Sequence, residues 1–392
     1  MARSWKRRGR ARVVGVGSAL SPQDLVELYG LADLHARGVF GQGLRIGFVE
    51  FARPSESDDR AFWARYSVKP ELNRPVRTVP VGVPAGDPGA LGETDLDLQY
   101  AGALAPGAEL IAYLIDDQGT DAAFMGRLYD AVLAAAADGC QILSISLGTG
   151  DAMAAAAGPI SSGDGGSWND PASYAAALDE AIAGAGMLVV AAAGDSGLYG
   201  GFPLGQSTPQ AVWPASQGAI VAVGGTQLAG PGNVGSGAQA WGGQSLDPAA
   251  GGYNPANTLP QASGGGGPSC FIPLPAHQAG FGGPWRQTPD VAAFAGPLTI
   301  VDLGSEVTVW GTSAGAPIVA AVCALCRQAA GALPTQAQLY GAATDVLAGN
   351  NTNDALLLTG LTEFAVAEPG YDACTGAGSV AAPDLLRVMS MG

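Results

Sequence analysis

Lysine and histidine are the scarcest side chains that could carry chemistry: Lys6 and Lys69 are the only lysines and His35 and His277 the only histidines among 392 residues. With two histidines, a nucleophile–histidine pair has few candidates and a histidine-rich metal site has none. Charge is sparse as well, at 13% of residues, and 18 basic residues against 34 acidic ones leave a net charge of −16. That sign argues against nucleic acid and anionic membrane as partners, since both require basic surface. A low charge density also suits a chain that must stay folded in acid, where protonated carboxylates leave positive charge unbalanced. The five cysteines are an odd number. Cys140, Cys323 and Cys326 stand in apolar or alanine-rich context and read as small buried hydrophobes, and a Cys270–Cys374 disulfide is left open. No stretch of 18 consecutive apolar residues occurs, so no segment reads as a transmembrane helix. The basic N-terminus is followed by an apolar stretch too short and too glycine-rich for a convincing secretory signal, so residues 1–20 are expected to be a tail or linker.

Hydrophobic residues make up 47% of the chain, enough for a large core, while 60 glycines and 27 prolines gather between elements. Ser21-Pro22-Gln23-Asp24 reads as a helix start, and that helix is expected to run to about Ala36. Strands are expected at Leu44–Phe51, Val76–Val81, Glu109–Ile115, Gln141–Leu147, Met187–Ala192, Ala219–Val223 and Val307–Trp310. Helices are expected near Asp59–Tyr66, then at Thr94–Leu104, Asp121–Ala137, Pro171–Ala185 and Ser313–Ala330. Strands such as QILSISL and MLVVAAA are apolar on both faces, the pattern of a parallel sheet covered by helices. The alternation predicts one α/β domain over 21–392, doubly wound, around a mostly parallel seven-stranded sheet flanked by helices. Sites in such folds lie outside the carboxyl ends of the strands.

Three segments place chemistry there. Gly311-Thr312-Ser313-Ala314-Gly315 precedes the last long helix. Ser313 then has unpaired backbone N–H groups around it and a dipole that favours developing negative charge, as an acyl-transfer nucleophile requires. The plain alternative is an N-cap serine. Gly92-Glu93-Thr94-Asp95-Leu96-Asp97 puts Glu93 and Asp97 four residues apart on one helix face, and Asp95 on another. Adjacent carboxylates repel, so one keeps its proton to higher pH and can act as a base in acid. Taken alone the pair is more often a solvated helix face. Asp195, in Ala193-Gly194-Asp195-Ser196-Gly197, follows a strand directly. If protonated it can donate to an oxyanion; as a turn former it would do nothing further. The same GDSG letters occur around the nucleophile of chymotrypsin-like proteases, but that fold is all-β and its histidine context is missing.

Taken in order, SPQDLVELYGL, GLRIGFVEFA, ETDLDLQYAGALAPGAEL, AAAGDSG, RQTPDVAAFA, GTSAGAP and GYDACTGAGS resemble the sedolisins, or serine-carboxyl peptidases, over nearly the whole chain. The resemblance implies a subtilisin-like fold and an acid-acting endopeptidase in which Ser313 is the nucleophile, Glu93 the general base, Asp97 its partner and Asp195 the oxyanion stabiliser. It also implies substrate pairing along Ser146, Leu147 and Gly148. One structural calcium ion would be held by Asp345, Asp372 and the backbone carbonyls of Val346, Glu368 and Gly370, a set of hard oxygens that suits it. Expected with it are a peptide or protein substrate, a monomer, no nucleic acid or membrane partner, and a secreted or extracytoplasmic location.

The chain departs from the family pattern in several places. Leu147 stands where the family has a tryptophan that supports the acid pair, so Glu50 is expected to be detached from the relay and the base retuned. Trp310 replaces a glycine beside the nucleophile segment and is expected to narrow the cleft. Glu368 replaces a glycine among the calcium carbonyls. No prodomain is expected in this chain. These departures support an alternative, a pseudopeptidase acting as a binding protein.

Overall fold

Seven parallel strands form the centre of the computed structural model, which describes residues 19–82, 91–116, 119–200, 207–229, 237–242, 262–353, 356–357 and 359–391. They are β1 (Arg45–Glu50), β2 (Arg77–Val81), β3 (Glu109–Ile115), β4 (Ile142–Ile145), β5 (Leu188–Ala192), β6 (Ile220–Leu228) and β7 (Val291–Phe294), in the spatial order β2-β3-β1-β4-β5-β6-β7. The seven-stranded expectation describes this core. Short segments at Ala238–Ala240, Ala343–Thr344 and Ser379–Val380 extend it to ten strands.

The membership differs at one place. Val307–Trp310, expected to be one of the alternating set, instead lies in a separate hairpin of Leu298–Asp302 with Ser305–Val309. Leu303 and Gly304 both take positive φ at its tip, the two-residue turn that matches strand twist. The seventh parallel strand is β7, too short for periodicity to reveal. The helix expected from Ser21 to Ala36 is two helices, Pro22–Leu28 and Ala32–Ala36. The break falls at Gly30, whose φ of 62° suits glycine, and a Cβ there would stand 2.7 Å from Pro383. Leu20, placed in the tail by the sequence, is 3% exposed and packs into the core.

Side chains of the strands alternate between two cores, as the pleat requires. Ile46 and Phe48 of β1 face a core shared with α1 (Leu91–Leu104) and α4 (Thr312–Ala330), which pack against the same side of the sheet. Val49 faces the other core, under α2 (Asp121–Ala137) and α3 (Pro171–Ala185). Helix α4 is long and apolar enough by composition to cross a membrane, yet its residues from Ala314 to Cys326 are all buried inside the fold.

The RQTPD segment anchors the lower edge. Arg286 and Asp290 are fully buried and paired, and Asp290 also accepts the Ala222 N–H at 2.7 Å. The charge buried there is tolerated because both Asp290 oxygens meet the Arg286 guanidinium and further donors from Ala222 and Tyr340. Both histidines are structural. His277 lies against Asp290 at the amino end of β7. His35 Nε2 meets the Leu104 carbonyl at 3.0 Å, at the far end of α1 from Glu93. All five cysteines are free, so the Cys270–Cys374 pairing is not formed.

Candidate active site

The carboxyl ends of β1, β4 and β5 meet the amino ends of α1 and α4 at one place. Glu50 closes β1, Ser146 follows β4, Asp195 follows β5, Glu93 and Asp97 lie in the first turns of α1, and Ser313 lies in the first turn of α4. Ser313 is not the N-cap. That position is Gly311, with φ 150° and no side-chain cap. Gly311 therefore supplies no capping side chain, the Thr312 N–H is taken by Asp195, and the half-buried Ser313 follows directly in the first turn of α4.

Glu93 is 9% exposed and Asp97 is fully buried, so neither is a solvated helix face. Burial pushes the Glu93 carboxyl up to about 8, the neighbouring Ser313 side chain pulls it back, and the Asp195 charge raises it. Asp97 is raised by burial and then by Glu50 and Glu93, while Ser146 Oγ donates to its Oδ1 at 2.9 Å. Glu50 is 1% exposed, and Thr94 Oγ1 donates to its Oε2 at 2.9 Å. Burial and then Glu93 raise it, and its charge in turn raises Asp97. Glu50 thus lies within electrostatic reach of Glu93 and Asp97, against the expected detachment. The side chain of Leu147 does turn away, into the core under α2 and α3. Thr94 supplies the hydroxyl that Leu147 cannot.

Ser146 also donates to the Ser313 carbonyl at 3.3 Å. In a regular helix that carbonyl would take the N–H of residue 317, but Pro317 has none. The proline therefore frees an acceptor that ties the nucleophile's helix to the end of β4. Sequence reasoning assigned Ser146 only its backbone and missed this hydroxyl; the Ser313–Pro317 spacing was the available signal.

Asp195 Oδ1 accepts from the Thr312 N–H and from Thr312 Oγ1, both at 2.8 Å. Burial raises its carboxyl and these two donors lower it. Its Oδ2 faces the Gly311–Ser313 backbone: a Cβ on Gly311 would stand 3.0 Å from Oδ2 and 3.6 Å from the Ser313 nitrogen. Only glycine leaves that approach open. Thr312 was also missed, although a hydroxyl beside the nucleophile was visible in GTSAG.

Beyond β4, no ladder partner is assigned to Ser146, Leu147 or Gly148 among the described residues, and all three are half-buried. A Cβ on Gly148 would fall 2.6 Å from Val212, so glycine there serves close packing as well. Trp310 lies over Gly296, where a Cβ would stand 2.9 Å from its indole.

Asp95 is not an inert neighbour. It is fully buried, both its oxygens lack a hydrogen-bond partner, and it faces Asp59 and Asp58 from the helix Glu56–Tyr66, Asp302 from the hairpin, and Glu50. Burial first, then these carboxylates, push it up to about 9; Asp59 rises to about 8, again chiefly by burial. A group whose folded pKa is raised contributes stability below its unfolded pKa and loses it as pH rises through the folded value. The window here runs from about 4 to about 9. Each group is expected to cost up to about 1.4 kcal/mol per pH unit across its window. Thermal denaturation at pH 4, 6 and 8 checks this: Asp95→Asn and Asp59→Asn should flatten the decline, and curves parallel to wild type would refute it.

At the C-terminal site, Gly370 N–H donates to Asp345 Oδ2 at 2.7 Å and Glu368 N–H to Asp372 Oδ2 at 3.3 Å, so the two segments meet. Asp345 Oδ1 is buried and has no hydrogen-bond partner among the described residues. Among the described residues no group of three acidic, histidine or cysteine side chains is placed to hold a metal. A cation here would depend on backbone carbonyls, and the orphaned Asp345 oxygen fits that arrangement.

The subtilase (peptidase S8) family model matches residues 87–358. The chain belongs to the subtilase family. Within it, the chain is 32% identical over 404 residues to kumamolisin of Bacillus sp. (strain MN-32), covering 95% of this chain and 64% of that protein. It is 25% identical over 410 residues to xanthomonalisin of Xanthomonas sp. (strain T-22), covering 92% and 45%. The chain thus spans less than two thirds of the length of either. A solved structure of Pseudomonas sedolisin, a serine-carboxyl proteinase complexed with pseudo-iodotyrostatin, superposes with a TM-score of 0.73 at 23% identity, covering 96% of this subtilase and 98% of that chain. The subtilisin-like fold and the likeness to the sedolisin and kumamolisin group are thereby shown.

Proposed function

We propose that this subtilase is an acid-acting serine-carboxyl endopeptidase that cleaves peptide bonds through a Ser313 acyl-enzyme. The observation that carries the reading is the placement of Ser313 and a buried glutamate, Glu93, at the amino ends of two core helices that meet at the carboxyl ends of the strands, where Ser313 lowers the Glu93 carboxyl that burial raises. Glu93 takes the Ser313 proton as Oγ attacks the scissile carbonyl. The Ser313 N–H and a protonated Asp195 then stabilise the oxyanion, and Glu93 returns the proton to the leaving amine. Water repeats the sequence to release the acyl group. Asp97 and Glu50 hold protons behind Glu93, so the charge of the set can rest on the base. The substrate strand pairs with the half-exposed backbone at Ser146–Gly148. The proposal extends to a peptide or protein substrate, a monomer and an extracytoplasmic location, which rest on likeness to the sedolisins.

A fluorophosphonate or peptide aldehyde is expected to label Ser313 at one equivalent per chain, located by peptide mass mapping. No label on the wild type, or equal label on Ser313→Ala, would establish the pseudopeptidase alternative instead.

Calcium belongs to the same proposal. Asp345 and Asp372 carboxylates with the carbonyls of Val346, Glu368 and Gly370 would hold it, and it would fix the C-terminal segment to the rest of the fold. Glu368 is exposed, consistent with a backbone role. If calcium stands at 100 times its Kd, removal costs about 2.7 kcal/mol, or a melting temperature lower by about 3 °C for a chain of this length. Calorimetry with and without EDTA checks this, and an unchanged melting temperature counts against the site.

A further inference from the structure

Three buried carboxyls gather at this site, and each has a hydroxyl side chain beside it. Ser313 stands beside Glu93 and lowers its carboxyl, Ser146 donates to Asp97 at 2.9 Å, and Thr94 donates to Glu50 at 2.9 Å. The first hydroxyl is the nucleophile and the second bridges to the nucleophile's own carbonyl. The third has no part in the reaction as described, yet Thr94 is fully buried in the first turn of α1, directly beside the base.

We propose that Thr94 is a positioning residue that holds Glu50 in the carboxyl set and sets how readily the set gives up its first proton. The geometry shows how one hydroxyl serves two protonation states. Thr94 Oγ1 lies 2.9 Å from Glu50 Oε2 and 3.3 Å from the Ala52 carbonyl. When Glu50 is ionised, Thr94 donates to it. When Oε2 carries a proton, Glu50 donates to Thr94, and Thr94 turns its own proton to Ala52, an oxygen that only accepts. Neither state strands a buried polar atom on that side of Glu50, so the relay can change charge without rearranging its packing. Valine is the isostere that removes this capacity. It keeps the β-branched shape and leaves Glu50 Oε2 without this donor. The loss falls on the charged form, so ionising the set becomes harder and the acid limb of activity moves up in pH.

This inference rests on the peptidase reading above, and the test separates the two. Wild type, Thr94→Val and Thr94→Ser are compared as full-length chains, with far-ultraviolet circular dichroism and melting curves to confirm folding. Two readouts are taken from pH 2.5 to 8: the rate of fluorophosphonate labelling at Ser313, and kcat and KM on a quenched peptide library. Thr94→Val is expected to shift the acid limb up by about one unit and lower kcat about tenfold with KM within about twofold. Thr94→Ser, which restores the hydroxyl, should return both toward wild type. A Thr94→Val profile that superposes on wild type overturns the positioning role, and so does a shift that serine fails to rescue. If wild type itself neither labels nor hydrolyses peptide, the peptidase reading is what has failed. Should Thr94→Val not fold, Thr94→Ala and Thr94→Ser supply the same comparison.

Discussion

Replacing Glu93 by glutamine is expected to lower kcat/KM by about three orders of magnitude, within the range of a lost general base. Glutamine keeps the size of the side chain and can still hold the Ser313 hydroxyl, so binding and folding should survive while proton transfer does not. Ser313→Ala should cost more, on the order of 10⁶ by analogy with other serine nucleophiles. The double variant should be no worse than Ser313→Ala alone, because the two act as a unit. Asp95→Asn makes the comparison sharp. It lies two residues from Glu93 on the same helix and loses a carboxyl of similar burial, yet it touches none of the hydroxyls of the relay. Its activity at acid pH should match wild type. A Glu93→Gln enzyme with wild-type activity, or an Asp95→Asn enzyme as impaired as Glu93→Gln, would remove Glu93 from the role of base.

The pH dependence follows from the same group. A lone Glu93 at about 8 would be protonated in acid and useless as a base. It is not alone, because Glu93, Asp97 and Glu50 are charge-coupled, and the first proton lost belongs to the set. One negative charge shared among three carboxyls, with hydroxyls from Ser313, Ser146 and Thr94, is far easier to form than a second or third. The acid limb therefore reports the first ionisation of the set. A histidine base would give a limb near 6.5, but His35 and His277 both lie away from Ser313.

Much of this was legible in the sequence, for identifiable reasons. Helices α2 and α3 begin and end where Thr120, Asp170 and Gly186 cap them, and those residues announce themselves. The long apolar strands were legible because both their faces are buried. β7 was not, since its four residues carry no period and its place depends on the buried Arg286–Asp290 pair beneath it. The nucleophile, base and oxyanion residue were recognisable through ordered motifs. The hydroxyls that serve them were not, because Thr94 donates across to β1 and Ser146 across to α1, and no spacing within one segment encodes either contact. The expectation about Glu50 failed for the same reason: loss of a donor at 147 was visible, and its replacement at 94 lay in a different element.

Asp195 gives the second large effect, and its two natural replacements should behave differently. Its Oδ1 accepts the Thr312 N–H and is the nearer acceptor for the Thr312 hydroxyl, which can also turn to the Gly194 carbonyl; this favours the proton on Oδ2, the oxygen that faces the Gly311–Ser313 backbone. Asp195→Ala removes an oxyanion donor and is expected to lower kcat by about 10²–10³. Asp195→Asn should lose far less. The same two Thr312 donors fix the amide oxygen at the Oδ1 position and leave the amide nitrogen at Oδ2, where it donates at every pH. Wild type, by contrast, must keep Asp195 protonated, and activity should fall as pH rises through its raised pKa. Asparagine should therefore extend activity toward neutral pH, until the stability lost with Asp95 and Asp59 sets the limit. Rate profiles from pH 3 to 8 for both variants decide it. An alkaline limb unmoved by Asp195→Asn, or an Asp195→Ala enzyme as fast as wild type, would take Asp195 out of the oxyanion site and leave it a cap on Thr312.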